Sequence, residues 1–140
     1  MINLTATLSV EQIKEKVAPL FEEEGLRIVL LFGSVAQGRI HKGSDIDLAF
    51  LFEGPVDILA LTNRVTQLLG CDRIDVADLR RASPLLKFSA ARDGRLLYER
   101  SPGLFNAFCS LAFRMYSDTK KLRDAREKTV KDFLEKRGVA

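Results

Sequence analysis

Two short apolar runs, Leu26 to Phe32 and Ile46 to Phe52, flank a glycine-studded loop, and the second is led by carboxylates at Asp45 and Asp47. The first run carries a single charge, Arg27, and is bounded by Gly25 and Gly33. It is too short for a typical helix, so it reads as a central strand buried on both faces. The second alternates Ile46, Leu48, Phe50 and Phe52 against Asp45, Asp47, Ala49 and Leu51. Strand alternation sets both carboxylates on one face. Aspartate is depleted in strands, and two on one face repel each other unless a cation lies between them. The pair therefore points to a metal ion. The Gly33-Ser34 turn lets backbone approach a ligand closely, and a helix starting there would offer N–H groups to phosphate oxygens. Phosphate at one end and metal at the other suggest nucleotide chemistry.

The rest of the chain supplies a frame for that loop. Ser9 and Gln12 have the spacing of a capping box, and Val10, Ile13, Val17, Leu20 and Phe21 recur at helical spacing up to Gly25. Pro19 should kink or split this helix. Ile58, Leu61, Val65, Leu68 and Leu69 predict a second helix ending before Gly70. Arg73 to Leu79 alternates as a short strand with Asp75 on its open face, a third candidate ligand. Asp72 and Asp78 read as cap or turn residues. Ser83-Pro84 predicts a short helix before Gly94, followed by a strand from Arg95 to Tyr98. Ser101-Pro102 repeats the cap, and apolar positions then step by three or four from Phe105 to Phe133. One long helix, or two abutting ones, closes the chain.

At 140 residues, 46% of them hydrophobic, residues 1–140 are expected to form a single domain with a C-terminal helical segment over about 101–140. The net charge of +3 is mixed along the sequence, which argues against nucleic acid as a partner. Cys71 and Cys109 have no paired or metal-binding spacing, and no apolar run approaches bilayer length. A reduced cytoplasmic setting away from membranes is the expectation. His41 reads as a solvated loop residue, and there is no serine, histidine and acid set and no Walker-type loop ending.

Gly33-Ser34, ten intervening residues and then Asp45-Ile46-Asp47 resemble the motif of the DNA polymerase beta-like nucleotidyltransferases, placed between two strands as in that family. The small size, Ser44-Asp45-Ile46-Asp47-Leu48, Arg73-Ile74-Asp75-Val76-Ala77-Asp78-Leu79 and Met115-Tyr116 are similar to the minimal nucleotidyltransferase antitoxins. The resemblance implies an α+β fold: a mixed sheet of about four strands, helices mainly on one face and a long C-terminal helix. It assigns Gly33 and Ser34 to the triphosphate, and Asp45, Asp47 and Asp75 to catalysis and to two Mg2+ ions. Many members carry a basic residue at the position of Gln37, and Arg39 or Lys42 is the expected substitute for nucleotide binding.

The implied activity is transfer of AMP from ATP to a tyrosine of a HEPN-domain ribonuclease toxin, which the antitoxin thereby neutralises. Assembly with that toxin as a hetero-oligomer, or with a second copy as a homodimer, follows from the same resemblance. Two rivals stand beside it. Transfer to a small hydroxyl compound of the aminoglycoside kind needs a walled acceptor pocket, for which one helical segment after the last strand is little material. A module that masks a toxin by contact alone leaves three aspartates without a purpose.

Overall fold

The computed structural model of the chain describes residues 8–33 and 46–138. Ser9 opens the first helix, α1 (Val10–Val17), with a full capping box: its hydroxyl accepts from the Gln12 N–H at 3.1 Å and the Gln12 side chain accepts from the Ser9 N–H at 2.8 Å. Pro19 ends the α-helical geometry, and the chain continues as a 3-10 helix over Ala18–Glu22. The expected split is therefore present. Strand β1 (Leu26–Phe32) follows, then β2 (Ile46–Phe52), helix α2 (Ile58–Leu69), strand β3 (Ile74–Asp78), helix α3 (Pro84–Asp93), strand β4 (Arg95–Glu99) and helix α4 (Leu104–Lys136).

The four strands form one mixed sheet in the order β3-β2-β1-β4, with β1 antiparallel to both neighbours and β3 parallel to β2. The parallel pair requires a crossover, which α2 provides. Its two ends follow from local chemistry. The Asp57 carboxylate accepts from the Ala60 N–H at 3.1 Å, and Gly70 closes the helix at φ +72°.

The sheet is covered on both faces, not mainly on one. On the first face Val29, Leu31, Leu48 and Phe50 pack with Ile13, Val17, Leu61, Val65 and Leu69 from α1 and α2. On the second, Ile28, Leu30 and Ala49 pack with Ala90, Ala91, Phe108 and Ala112 from α3 and α4. The reason lies in β1, whose residues Ile28, Val29, Leu30 and Leu31 are each at most 1% exposed. Burying a side chain of that size contributes roughly 1.5–3 kcal/mol, so a strand apolar on alternate sides recruits a helical layer to each.

Helix α4 opens differently from the expected Ser101 cap. Gly103 turns the backbone at φ +93° with no capping side chain of its own. The Glu99 carboxylate, at the end of β4, instead accepts from the N–H groups of Gly103 and Phe105 at 3.1 and 3.0 Å. An anion there also suits the positive end of the helix dipole. The 33 residues of α4 run unbroken through Ser117 and Asp118. At about 1.5 Å per residue the helix is roughly 50 Å long. Its first half packs on the sheet and on α3, where the Phe88 ring stacks on Tyr116 with centroids 4.0 Å apart. Beyond Tyr116 every described side chain except Thr119 is exposed. Among the described residues no helix is long and apolar enough to cross a membrane.

Candidate active site

The site lies where β1, β2 and β3 present one corner of the sheet. Gly33 ends β1 at φ +87°, a left-handed conformation that residues with a side chain rarely adopt. Its neighbour across the strands is the reason for a glycine. A Cβ built at Gly33 would collide with Oδ2 of Asp47, so the missing side chain is what leaves that carboxylate its place.

Strand register then brings two of the predicted acidic residues together. Phe32 of β1 faces Asp47 of β2, and Asp47 in turn faces Asp75 of β3. Residues in register on adjacent strands project to the same face, with the strands about 4.8 Å apart. Asp47 and Asp75 share the face on which Ala49, Ala77 and Leu79 pack under α3 and α4. Asp47 is half-buried and Asp75 is exposed, so the pair opens from the sheet toward solvent.

Asp78 does not join them. The alternation of β3 turns it to the other side, and its carboxylate accepts from the Arg80 N–H at 3.0 Å to hold the turn that follows the strand, as expected for a turn residue. Ser34, Gln37, Arg39, His41, Lys42 and Asp45 lie outside the described residues. Among the described residues no group of three acidic, histidine or cysteine side chains is placed to hold a metal ion. The described donors are two hard carboxylates, the ligand class that suits Mg2+.

A glycine-ended strand beside two registered carboxylates is the local geometry, and known proteins supply the wider comparison. Residues 15–103, from α1 through β4, match the family model "Polymerase beta, Nucleotidyltransferase". The chain belongs to this family. The matched stretch takes in all four strands of the sheet and ends just before α4.

Among relatives of this polymerase beta nucleotidyltransferase is the protein adenylyltransferase MntA of Aphanizomenon flos-aquae (strain 2012/KM1/D3). It is 30% identical over 126 residues, which make up 81% of this chain and 84% of the relative. A solved toxin–antitoxin complex with AMP-PNP contains a chain 29% identical, at a TM-score of 0.74, covering 84% of this chain and 97% of that one. A second, the tri-AMPylated HEPN toxin of Shewanella oneidensis in complex with its MNT antitoxin, contains a chain 25% identical at a TM-score of 0.70, covering 86% and 97%.

Spacing in the sequence does not bring forward three further polar residues of this nucleotidyltransferase: Arg27, Arg80 and Lys87. They come from β1, from the turn after β3 and from α3, and they line one cavity. The one signal that marks them is Arg27, a lone charge in a strand that is otherwise apolar.

Proposed function

We propose that this chain is a Mg2+-dependent protein adenylyltransferase that moves AMP from ATP to a tyrosine hydroxyl of a partner HEPN toxin, and so acts as the antitoxin of a pair. The observation that carries the reading is the register of Asp47 with Asp75 beside the positive-φ Gly33. The names of the relatives support the acceptor: one is a protein adenylyltransferase, and another complex holds an AMPylated toxin.

The reaction is an in-line displacement at the α-phosphorus. The acceptor oxygen forms a new bond to phosphorus, the bond to the β,γ-diphosphate breaks, and pyrophosphate departs with that electron pair. Asp47 and Asp75, with Asp45 as the third carboxylate, would hold Mg2+. Bound there, the metal would supply positive charge against the triphosphate and the leaving group. Asp75, exposed on the edge strand β3, would face an incoming acceptor and take the hydroxyl proton. Gly33 and Ser34, with Arg39, would orient the phosphates.

Incubation with isotopically labelled ATP, MgCl2 and a HEPN toxin tests the reading. Label should move to the toxin, with intact mass rising by whole adenylyl groups and ribonuclease activity falling. Toxin inhibition without any mass change would replace catalysis by masking, and transfer to an aminoglycoside but not to protein would replace the acceptor.

A further inference from the structure

At the other end of the sheet, on the face carrying α3 and α4, lies a cavity of about 280 Å3. Its floor and walls are apolar, with Phe108, Leu111 and Met115 of α4 among them. Three cations enter it: Arg27, Arg80 and Lys87. Gly33 lies six positions beyond Arg27 along the chain, so at about 3.3 Å per residue the cavity is roughly 20 Å from the proposed transfer site.

The balance of charge there is uneven. The lone carboxylate lining the cavity, Glu53, is committed to an ion pair with Arg100 outside it. That hydrogen bond holds the Glu53 carboxyl below its ordinary value, so it stays ionised and engaged. Among the described residues neither Arg80 nor Lys87 is in an ion pair. The Arg27 Nε is buried with no hydrogen-bond partner among them. A buried N–H left unpaired is destabilising, and native structures seldom leave one so without a ligand or water to meet it.

We infer that this cavity is a second ligand site, which takes a small amphipathic acid: an aromatic or branched aliphatic body against Phe108, Leu111 and Met115, and a carboxylate or phosphate head between Arg27, Arg80 and Lys87. The volume sits just below the usual range of about 300–1,000 Å3 for ligand pockets, which fits a compact molecule of one ring. Apolar walls with a few convergent polar groups are the ordinary composition of such sites. A head group bearing charge would gain charge-assisted hydrogen bonds, including the one Arg27 Nε lacks.

The test uses the intact chain and amide chemical shifts in a titration with four probes: phenyl phosphate, phenylacetate, benzyl alcohol and inorganic phosphate. Phenyl phosphate or phenylacetate should bind saturably, with shifts concentrated at Arg27, Arg80, Lys87 and Leu111. Benzyl alcohol, which lacks the charge, and inorganic phosphate, which lacks the ring, should each bind at least about tenfold more weakly. Arg80→Gln with Lys87→Gln should weaken the acids about tenfold while leaving the alcohol unchanged. Equal affinity for inorganic phosphate would reduce the site to a cationic patch, and equal affinity for benzyl alcohol to an apolar hole. Either result, or shifts confined to Phe133 and Leu134, or no saturation, overturns the proposal.

Discussion

Gly33 and Asp47 are fitted to each other: the space a Cβ at Gly33 would need is already filled by the Asp47 carboxylate. Gly33→Ala therefore fails twice. An alanine at φ +87° is strained by about 1–2 kcal/mol, and its methyl group pushes Asp47 out of register with its ligand geometry. Displacement of a reacting group by about 1 Å can cost a hundredfold in rate, so transfer should fall by at least about tenfold while the far-ultraviolet circular dichroism is unchanged. Transfer at the wild-type rate would show that Gly33 merely ends a strand.

The registered pair Asp47 and Asp75 makes a second prediction with two unequal halves. Asp47→Asn keeps volume and removes one charge from the half-buried member, and transfer should vanish at saturating Mg2+. Asp75→Asn touches the exposed member, and transfer should drop at least about tenfold with a smaller change in ATP affinity. The two carboxylates repel each other across the register, so the melting temperature should stay level or rise slightly as that repulsion is relieved. Loss of the folded state in either variant, or unchanged turnover in both, would remove the pair from the site.

How far the sequence discloses this protein can be followed residue by residue. Local chemistry is legible: Ser9, Pro19, Gly70 and Ser83 each mark the boundary their types favour, and the structure uses all four. Alternation alone places Asp45 with Asp47 on one face of their strand and Asp75 on the open face of its own, but that Asp47 and Asp75 share a face is set by the register of β2 with β3. Long-range choices are less legible. The layering on both faces is implicit in the unbroken run Ile28 to Leu31, yet the resemblance to a family points to one main helical face. The cap of α4 comes from Glu99, four residues before Gly103, because a bend at the end of β4 folds that carboxylate over the helix start, and nothing in the spacing reveals it. The cavity around Arg27, Arg80 and Lys87 is assembled from three separate elements and has no motif at all.

A third prediction concerns alkaline pH. The Cys109 thiol, half-buried between α4 and α3 with its Sγ 3.8 Å from the Ala91 carbonyl oxygen, is pushed above its ordinary value of 9.0 by burial. A raised folded-state value means that the stability it contributes is whole below the ordinary value. That stability is lost as pH rises through the folded one, because the unfolded chain sheds the proton first. Thermal melts of wild type and Cys109→Ala, followed from about pH 8 to about pH 11, separate this group from the tyrosines and lysines that titrate in the same range. Wild type should fall more steeply than the variant. Parallel curves would mean that Cys109 carries no linked proton.

The last prediction follows from the half of α4 that covers nothing. Leu122, Val130, Phe133 and Leu134 are 38–68% exposed on a stretch where no described side chain past Thr119 is even half-buried. A large apolar surface maintained on a projecting helix marks a docking site, here for the proposed toxin, whose acceptor tyrosine must be carried to an open sheet corner that this small fold does not enclose. Truncation after Ser117 removes that strip and leaves Phe108, Ala112 and the Phe88–Tyr116 stack in place. The shortened chain should therefore keep a cooperative melt and bind ATP as before, yet lose toxin binding by at least about a hundredfold, the scale expected when several anchoring side chains go together. Phe133→Ser with Leu134→Ser in the full-length chain should give a smaller loss in the same direction. Undiminished toxin binding by both proteins would move the interface to the packed half of the molecule, and unfolding of the truncated chain would show that the far half of α4 serves stability after all.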